Sequence, residues 1–306
     1  MKSFWKQFVA WVTRSKGDPF FSVRLKLTGL YIISLVTVAA LVYFLIGTLS
    51  LSQIVILLIL IATAIGYFLS SSALSPIRQM FRAQRRFIAD ASHELRTPLS
   101  IMKTNSEVAL MGGVDLKAEE AIETLISNME EIDRMSKLIE QLLAMSFYDN
   151  KMIEIPSTPV NFSQIVNEIV DKTRSLARQK NVKLIMEKAE PLTIIGNPTA
   201  LEQLVMNLVK NAIVYTPSGG KVSVSVEKNG RLGRLNVEDT GIGISSEDLP
   251  NIFNPFYKTD KAAKMSNGTG LGLTIVKKIV DRHNGSIDIK SELGRGTLFS
   301  VSLPAV

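Results

Sequence analysis

The longest feature of the chain is an apolar stretch without a charge, which runs for 51 residues from Leu27 to Ile77. As one helix it would measure about 76 Å at ~1.5 Å per residue, more than twice the ~30 Å core of a bilayer. Its only polar interruption lies at residues 47–53. The pattern therefore predicts two membrane spans, at about 27–46 and about 54–74, joined by a very short turn.

Beyond the second span, apolar residues recur mostly every three or four positions over 77–111 and again over about 122–143. This spacing predicts two helices, each with one apolar stripe, separated at Gly112 and Gly113. Because a two-helix hairpin leaves much of its stripe exposed, we expect two chains to pair their antiparallel hairpins in a four-helix bundle. Pro98 is expected to bend the first helix, since proline lacks the N–H of a normal helical turn.

From about Pro159 the pattern mixes helical periodicity with short apolar strands, which predicts a C-terminal α/β sandwich domain. Asn197 followed by Pro198 predicts a capped helix start, and Asn229-Gly230 predicts the turn of a β-hairpin. The helices are expected at 162–179, about 198–215 and about 271–283, and the strands at 182–187, 192–195, 222–226, about 235–237, 286–290 and 297–303.

Length and composition narrow the class of protein. A chain of 306 residues with 46% hydrophobic residues is not disordered and has room for two compact domains beside the apolar segment. Cysteine is absent and there are two histidines, His93 and His283, which excludes a disulfide framework, a thiol nucleophile and a zinc site of the Cys/His kind.

Charge is concentrated at the N-terminal end. Residues 1–86 hold ten basic residues and one acidic residue, a net +9, so the rest of the chain carries −2 of the overall +7. Basic residues flank the outer ends of both spans and none lies in the turn, which predicts a multi-pass plasma-membrane protein with both termini in the cytoplasm. Positive charge beside an apolar segment favours the lipid bilayer as a partner and not nucleic acid.

Two consequences follow for the N-terminal part of the chain. Residues 1–26 contain both tryptophans and are expected to form a cytoplasmic amphipathic segment on the membrane surface, ahead of a transmembrane hairpin at 27–74. The short outer turn is too small for a ligand-binding domain. A signal would therefore arrive through the bilayer, through another membrane protein or from the cytoplasmic side.

His93 is the first candidate for chemistry. It lies two residues from both Ala91 and Leu95 on the predicted helix, about 200° around the axis from each, and so faces water. Glu94 beside it could orient the ring and remove a proton, and Thr97 follows one turn later. Taken alone, an exposed histidine is more often a plain surface residue.

A group of polar residues and glycines in the C-terminal domain suggests a nucleotide pocket. Asn207 and Asn211 are four apart on one helix, so their amides share a face and could ligate a hard cation or a phosphate oxygen. Asp239 ends a predicted strand, where its carboxylate could accept a hydrogen bond from an exocyclic amine. A glycine-rich stretch, 268–272, opens the last helix and suits an anion. Each cluster alone could be a helix surface, a turn or a loop.

The order and spacing of these motifs resemble the bacterial sensor histidine kinases of two-component systems, over about 76–303. The short outer turn is similar to that of the intramembrane-sensing members. Five motifs carry the resemblance: Phe87–Leu99 as the phosphoacceptor box, Asn207–Ala212 as the N box, Asp239–Ile244 as the G1 box, Ile252–Tyr257 as the F box and Gly268–Leu273 as the G2 box.

The resemblance implies a HisKA dimerisation and phosphotransfer domain at 75–150 and a GHKL-type catalytic ATP-binding domain at 151–306. His93 would be phosphorylated from ATP, and Glu94 would take its ring proton. Thr97 would help to place a water molecule if the protein also dephosphorylates its partner. The phosphoryl group would pass to an aspartate of a separate cytoplasmic response regulator.

The resemblance also implies a nucleotide site. Asn207 and Asn211 would hold Mg²⁺ and the phosphates, with Asn211 favoured as the metal ligand. Asp239 would accept a hydrogen bond from the adenine amine. The other implied residues lie around the base, in a mobile lid at 254–270 and in the phosphate-binding loop: Tyr215, Gly241, Gly243, Lys258, Gly268, Gly270 and Gly272.

One position departs from the family. Val214 stands where many members have a Lys or Arg that contacts the phosphates, so Lys210 or Lys258 would have to replace it, or ATP binding would be weaker. Two other interpretations stay open. An ATPase of the gyrase or chaperone class explains the pocket but not the exposed His93. An ATP-binding scaffold or phosphatase with weak kinase activity rests on Val214.

Overall fold

The N-terminal part of the chain is helical in the computed structural model. Helix α1 spans Phe21–Leu45, and helix α2 spans Leu51–Met111 without interruption. The second predicted span and the first hairpin helix therefore form one helix, although Pro76 and Pro98 both lie inside it. Each proline removes one backbone hydrogen bond, and the remaining hydrogen bonds of the 61-residue helix continue on both sides of it. The structure describes residues 21–45, 50–111, 118–149, 156–266 and 268–306.

Several predictions concern residues outside that set. The amphipathic segment near the N-terminus, the double glycine at 112–113 and most of the turn between the predicted spans lie outside the described residues. Among the helices that are described, none combines the length and the apolar character needed to cross a bilayer.

The chain divides into two compact units, Met1–Arg86 and Phe87–Val306. In the second unit, helix α3 (Ala118–Asp149) lies beside α2, and we call residues 87–111 with 118–149 the hairpin. Polar side chains join the two helices. The Asn105 amide donates to Ser127 Oγ at 3.1 Å and to Asn128 Oδ1 at 3.2 Å. The predicted hairpin is therefore present.

The remainder of the second unit, residues 156–306, is an α/β domain that we call the C-terminal domain. Its main sheet has five strands in the order β2-β4-β5-β7-β6, in which the β2–β4 pair is parallel and the others are antiparallel. A small antiparallel pair, β1–β3, lies apart from it. The strands are β1 (Thr158–Asn161), β2 (Lys183–Ala189), β3 (Thr193–Gly196), β4 (Lys221–Asn229), β5 (Leu232–Asp239), β6 (Ser286–Glu292) and β7 (Gly296–Pro304).

Three helices form the second layer: α4 (Phe162–Gln179), α5 (Pro198–Tyr215) and α7 (Gly272–Arg282) pack on one another and on the sheet. The predicted cap of α5 is confirmed, since Asn197 Oδ1 accepts from the N–H of Ala200 at 2.9 Å. The strand β1 and the short helix α6 (Asp260–Met265) were not predicted. Both are very short and carry no clear periodicity of their own.

The sheet positions the candidate site through its alternation. In β5 the side chains of Leu235, Val237 and Asp239 are buried, whereas Arg234 and Glu238 are exposed. Successive side chains of a strand point to opposite faces, so the final carboxylate of the strand falls on the same face as the core leucine and valine. Asp239 is therefore buried because of its position in the strand.

Candidate nucleotide-binding site

A cavity of about 410 Å³ opens where α5 meets the ends of β5 and β7. Its lining includes almost every residue predicted to bind nucleotide. Gly241 is the exception. It lies outside the lining, and its backbone N–H donates to the carboxylate of Asp239. The predicted residues that line the cavity are Asn207, Asn211, Tyr215, Asp239, Gly243, Lys258, Gly268, Gly270 and Gly272.

Asp239 is the buried acid of the cavity. Its Oδ1 accepts from the backbone N–H of Gly241 at 2.8 Å and of Thr297 at 3.3 Å. Burial raises the pKa of this carboxyl to about 6, although the two backbone hydrogen bonds act to lower it. These bonds fix the orientation of the carboxylate and use one oxygen. The other oxygen is left to accept a hydrogen bond from a ligand such as an exocyclic amine.

The two asparagines of α5 lie on one face of the helix, as predicted from their spacing, and this face lies beside the start of α7. The Asn207 amide N–H donates to the carbonyl of Gly272 at 3.4 Å. A Cβ at Gly272 would lie 3.8 Å from Asn207 and 3.9 Å from Asn211. Amide oxygens at the mouth of a helix N-terminus suit a hard cation held together with phosphate groups. The donor set therefore fits a magnesium-bound triphosphate.

Glycine is required at two points of the cavity wall. Gly270 has φ +76°, and a Cβ there would lie 2.7 Å from the carbonyl carbon of Phe256. Gly243 has φ +64°, and a Cβ would lie 2.0 Å from the carbonyl oxygen of Glu292. A side chain at either site would be strained and would collide with backbone. The glycines thus allow two close backbone contacts, one with Phe256 and one with the end of β6.

The predicted lid contains α6 and contacts Tyr215 through Ser266. Thr259 caps α6 by accepting from the N–H of Ala262 at 3.2 Å. The Tyr215 ring lines the cavity, and burial raises the pKa of its hydroxyl, opposed by a hydrogen bond with Ser266 of the lid. The lid is therefore linked to the C-terminal end of α5 by the Tyr215 hydroxyl.

The lid also contacts the hairpin. Lys258 lines the cavity, and its Nζ lies 4.0 Å from Glu94 Oε1 on α2. The rings of Phe87 and Phe256 have centroids 5.7 Å apart. The nucleotide cavity is therefore connected, through one lysine, to the carboxylate next to His93.

His93 itself is exposed on α2, as predicted, and lies outside the cavity lining. The Thr97 hydroxyl donates to the His93 carbonyl at 3.3 Å. Within the described residues Glu94 makes its ion pair with Lys258 and has no hydrogen bond to the His93 ring. In this arrangement Glu94 contacts the predicted lid and not the imidazole.

Three residues of α3 line the cavity and were not found from the sequence: Arg134, Lys137 and Gln141. Their spacing of three and four places them on one helical face, but that spacing alone cannot name the domain that packs against it. The Thr269 hydroxyl donates to Gln141 Oε1 at 2.5 Å. The hairpin thus forms one wall of the cavity.

Comparison with known proteins matches both domains. Residues 83–151 match the His Kinase A (phospho-acceptor) domain, and residues 196–306 match the histidine kinase-, DNA gyrase B-, and HSP90-like ATPase domain. The fold and the site thus define a phosphoacceptor hairpin followed by an ATP-binding domain. The chain belongs to the sensor histidine kinases of two-component systems.

Individual relatives agree. The sensor histidine kinase CusS of Escherichia coli K12 is 34% identical over 232 residues, which are 75% of this chain and 47% of CusS. The chain therefore spans about half the length of that relative. The Acinetobacter baumannii histidine kinase AdeS has a TM-score of 0.57 at 25% identity, over 69% of this chain and 97% of AdeS. The histidine kinase ThkA, solved in complex with the response regulator protein TrrA, has a TM-score of 0.59 at 24% identity, over 75% of this chain and 64% of the matched chain. At that identity the likeness shows the fold alone.

Proposed function

We propose that this chain is an ATP-dependent protein-histidine kinase that phosphorylates His93. The observation that carries the proposal is the position of Lys258, which lines the nucleotide cavity and lies 4.0 Å from Glu94. One compact unit thus contains a pocket suited to ATP and an exposed imidazole beside a carboxylate that contacts the lid of that pocket.

The proposed step is a transfer of the γ-phosphoryl group. One nitrogen of the neutral His93 ring forms the N–P bond, the bond from phosphorus to the bridging oxygen breaks, and ADP leaves. Glu94 takes the proton from the other ring nitrogen. Asn211 and Asn207 would hold Mg²⁺, which when bound neutralises charge on the phosphates. Asp239 accepts a hydrogen bond from the adenine amine and so fixes the orientation of the base.

Labelling with γ-³²P-ATP tests this proposal. Wild type should acquire label that is labile to acid and stable to base, which is typical of a phosphorylated histidine. His93→Gln should lose the label, and Asn211→Ala should lose it together with nucleotide binding. Lys103→Ala is a matched control, because this lysine is 74% exposed on α2 and does not line the cavity. Label retained by His93→Gln would disprove the proposed acceptor.

We also propose that two chains pair through the hairpin and pass the phosphoryl group to an aspartate of a response regulator. Exposed apolar side chains on both helices support pairing, among them Leu99, Leu125 and Met129. Thr97 lies one turn after His93, where it would place a water molecule for the reverse, phosphatase reaction. Its replacement by alanine should slow dephosphorylation of the regulator and leave the labelling of His93 intact.

The membrane part of the proposal rests on the sequence. The uncharged run of 51 residues and its basic flanks support two spans with both termini in the cytoplasm, and another membrane protein is a candidate signal source. Cysteines placed at Lys16 and at Ser50 should react with an impermeant reagent from opposite sides of the membrane. Labelling of both from one side would exclude the two-span arrangement.

A second candidate is an ATP-binding scaffold or phosphatase with weak kinase activity. This candidate is supported by Val214, which lines the cavity where many family members have a phosphate-binding cation. Binding of ATP without labelling of His93 in wild type, combined with dephosphorylation of the regulator, would favour it.

A further inference from the structure

The wall that the hairpin contributes to the nucleotide cavity is cationic. Four basic side chains line the cavity in the described part of the chain: Arg134, Lys137, Lys210 and Lys258. The first two come from α3 of the hairpin and the other two from the C-terminal domain. Half of the positive charge around the cavity therefore depends on the hairpin being docked.

This wall is attached at the phosphate side of the cavity. Gln141 lies four residues after Lys137, and its side-chain oxygen accepts from Thr269 at 2.5 Å. Thr269 belongs to the glycine loop that opens α7. Further along α3, Tyr148 donates to Gln203 at 3.2 Å and Asp149 pairs with Lys278. The first contact places α3 against the loop that would hold the phosphates, and the other two join α3 to α5 and α7.

Arg134 is held in position by a buried acid. Glu131 is only 8% exposed, and its Oε1 lies 3.2 Å from Arg134 Nη1. Its Oε2 is buried and has no hydrogen-bond partner among the described residues. A buried carboxylate is costly unless a cation compensates it, so Glu131 keeps the guanidinium at this point of the helix. The guanidinium has five N–H donors, and the remaining ones can bind a second anion.

The hairpin cations account for the departure at Val214. That side chain lines the cavity but has no charge and no donor for a phosphate, whereas Arg134 and Lys137 line the same cavity and have both. We propose that Arg134 and Lys137 bind the phosphate groups of the nucleotide, so that the hairpin supplies the charge missing at position 214. This inference rests on the proposed binding of ATP in this cavity.

A consequence is that nucleotide binding and domain docking favour each other. A ligand that contacts both domains binds the docked arrangement more tightly, and by linkage it shifts the population towards that arrangement. Arg134 and Lys137 would then be binding residues, while Glu131 would be a positioning residue that acts through Arg134.

Nucleotide affinities of the full chain test the proposal. The variants are Lys137→Ala and the double variant Glu131→Gln/Arg134→Gln, which removes both partners of the buried pair and leaves no unpaired charge. Their dissociation constants for magnesium-bound AMPPNP should rise about tenfold, the usual effect of losing one charge-assisted contact. Affinity for adenosine, measured by competition, should stay within about twofold because adenosine has no phosphate. Lys137→Arg should keep the affinity, and Lys103→Ala should match wild type.

Each outcome has one meaning. Unchanged affinity for AMPPNP in both variants overturns the inference. An equal fall for AMPPNP and adenosine also overturns it, because the residues would then support the shape of the cavity and not the phosphates. The wild-type chain is measured first. If it binds neither ligand and is not labelled at His93, the proposed function fails, which is distinct from failure of the phosphate contacts.

Discussion

The C-terminal domain and the hairpin handle their apolar side chains in different ways. In the C-terminal domain, Leu204 and Val209 of α5 are fully buried between the sheet and the neighbouring helices. In the hairpin, Leu125 and Met129 of α3 remain 62% and 66% exposed. The first region completes its core within one chain, whereas the second has an apolar surface that a second copy would cover. Stability of the first is therefore expected not to depend on protein concentration, unlike that of the second.

Truncation of the C-terminal core should have the largest effect. Leu204→Ala is expected to lower the free energy of unfolding of this domain by about 2–5 kcal/mol, because the site cannot collapse around the lost atoms. Guanidinium titration at two protein concentrations should give the same midpoint. Leu232→Ala, at a leucine that is 45% exposed on β5, is the matched control and should have little effect. A midpoint that moves with concentration would show that the domain does not complete its own core.

Replacement of Asp239, the buried acid of the site, should have the next largest effect on the free energy of unfolding. Above pH 6 the folded state holds a charged Asp239 whose pKa is about 6, well above the ordinary value of 3.8. This costs up to about 3 kcal/mol, a penalty that fades as the pH falls through 6 and is lost below 3.8, where the carboxyl is protonated in both states. Asp239→Asn should therefore stabilise the ligand-free protein at pH 7.5.

The same variant should lose nucleotide binding. An asparagine that keeps the backbone hydrogen bonds through its oxygen presents an NH₂ to the adenine amine, and two donors repel. Thermal unfolding with and without magnesium-bound AMPPNP would measure both effects. A variant that is less stable than wild type at pH 7.5, or that keeps the shift caused by the ligand, contradicts this account of Asp239.

A charge placed on the exposed apolar surface of the hairpin should weaken the pairing of two chains. Leu125→Asp is expected to weaken pairing of the chains by about 1.5–3 kcal/mol, the value of one buried leucine, which is a rise of at least tenfold in the dissociation constant. Sedimentation equilibrium would measure it. Leu232→Asp introduces the same charge on an exposed leucine of the C-terminal domain and should not alter assembly. Equal assembly of both variants with wild type would assign the exposed stripe to something other than a second copy.

The smallest expected effect is at the second histidine, which joins two helices of the C-terminal domain. His283 Nε2 accepts from the N–H of Asn197 at 3.2 Å, and its Nδ1 lies 2.8 Å from the carbonyl of Ile279. Burial lowers the pKa of this imidazole, so the ring is neutral and donates from Nδ1. His283→Phe leaves the Asn197 N–H unpaired and should cost about 1–3 kcal/mol at pH 7.5.

The pH dependence gives this prediction its sign. In wild type the unfolded state binds a proton at the histidine near its ordinary pKa of 6.5, while the folded state resists it. Stability is therefore lost as the pH falls below 6.5, and His283→Phe should remove that part of the loss. Denaturation at pH 7.5 and 5.5 would test it. A variant that loses as much stability as wild type between those values would exclude the ring as the titrating group.

Local signals in the sequence predicted much of the C-terminal domain. The helix Phe162–Gln179 has the predicted bounds, and Asn197 caps the next helix, because periodicity and capping depend on neighbouring residues. The strand Thr158–Asn161 was not predicted, since it exists through pairing with a strand that begins at Thr193. The motif order predicted Asp239, but its raised pKa depends on burial by distant residues.

The hairpin shows the same limit at the site. Exposure of His93 was predicted from its helical position, and the structure confirms it. The contact of Glu94 with Lys258 and the presence of Lys137 in the cavity depend on how the two domains pack. No spacing along the chain encodes that packing.

The hydrogen bond between Gln141 and Thr269 has a consequence for inhibitor design. A compound that fills only the adenine end of the cavity would meet groups that many ATPases of this fold share. An extension past the glycine loop would reach α3. There it would either contact side chains of the hairpin or displace the hairpin from the C-terminal domain. Compounds of the second kind would arrest the enzyme by holding the nucleotide-binding domain away from the histidine helix, even at high cellular ATP.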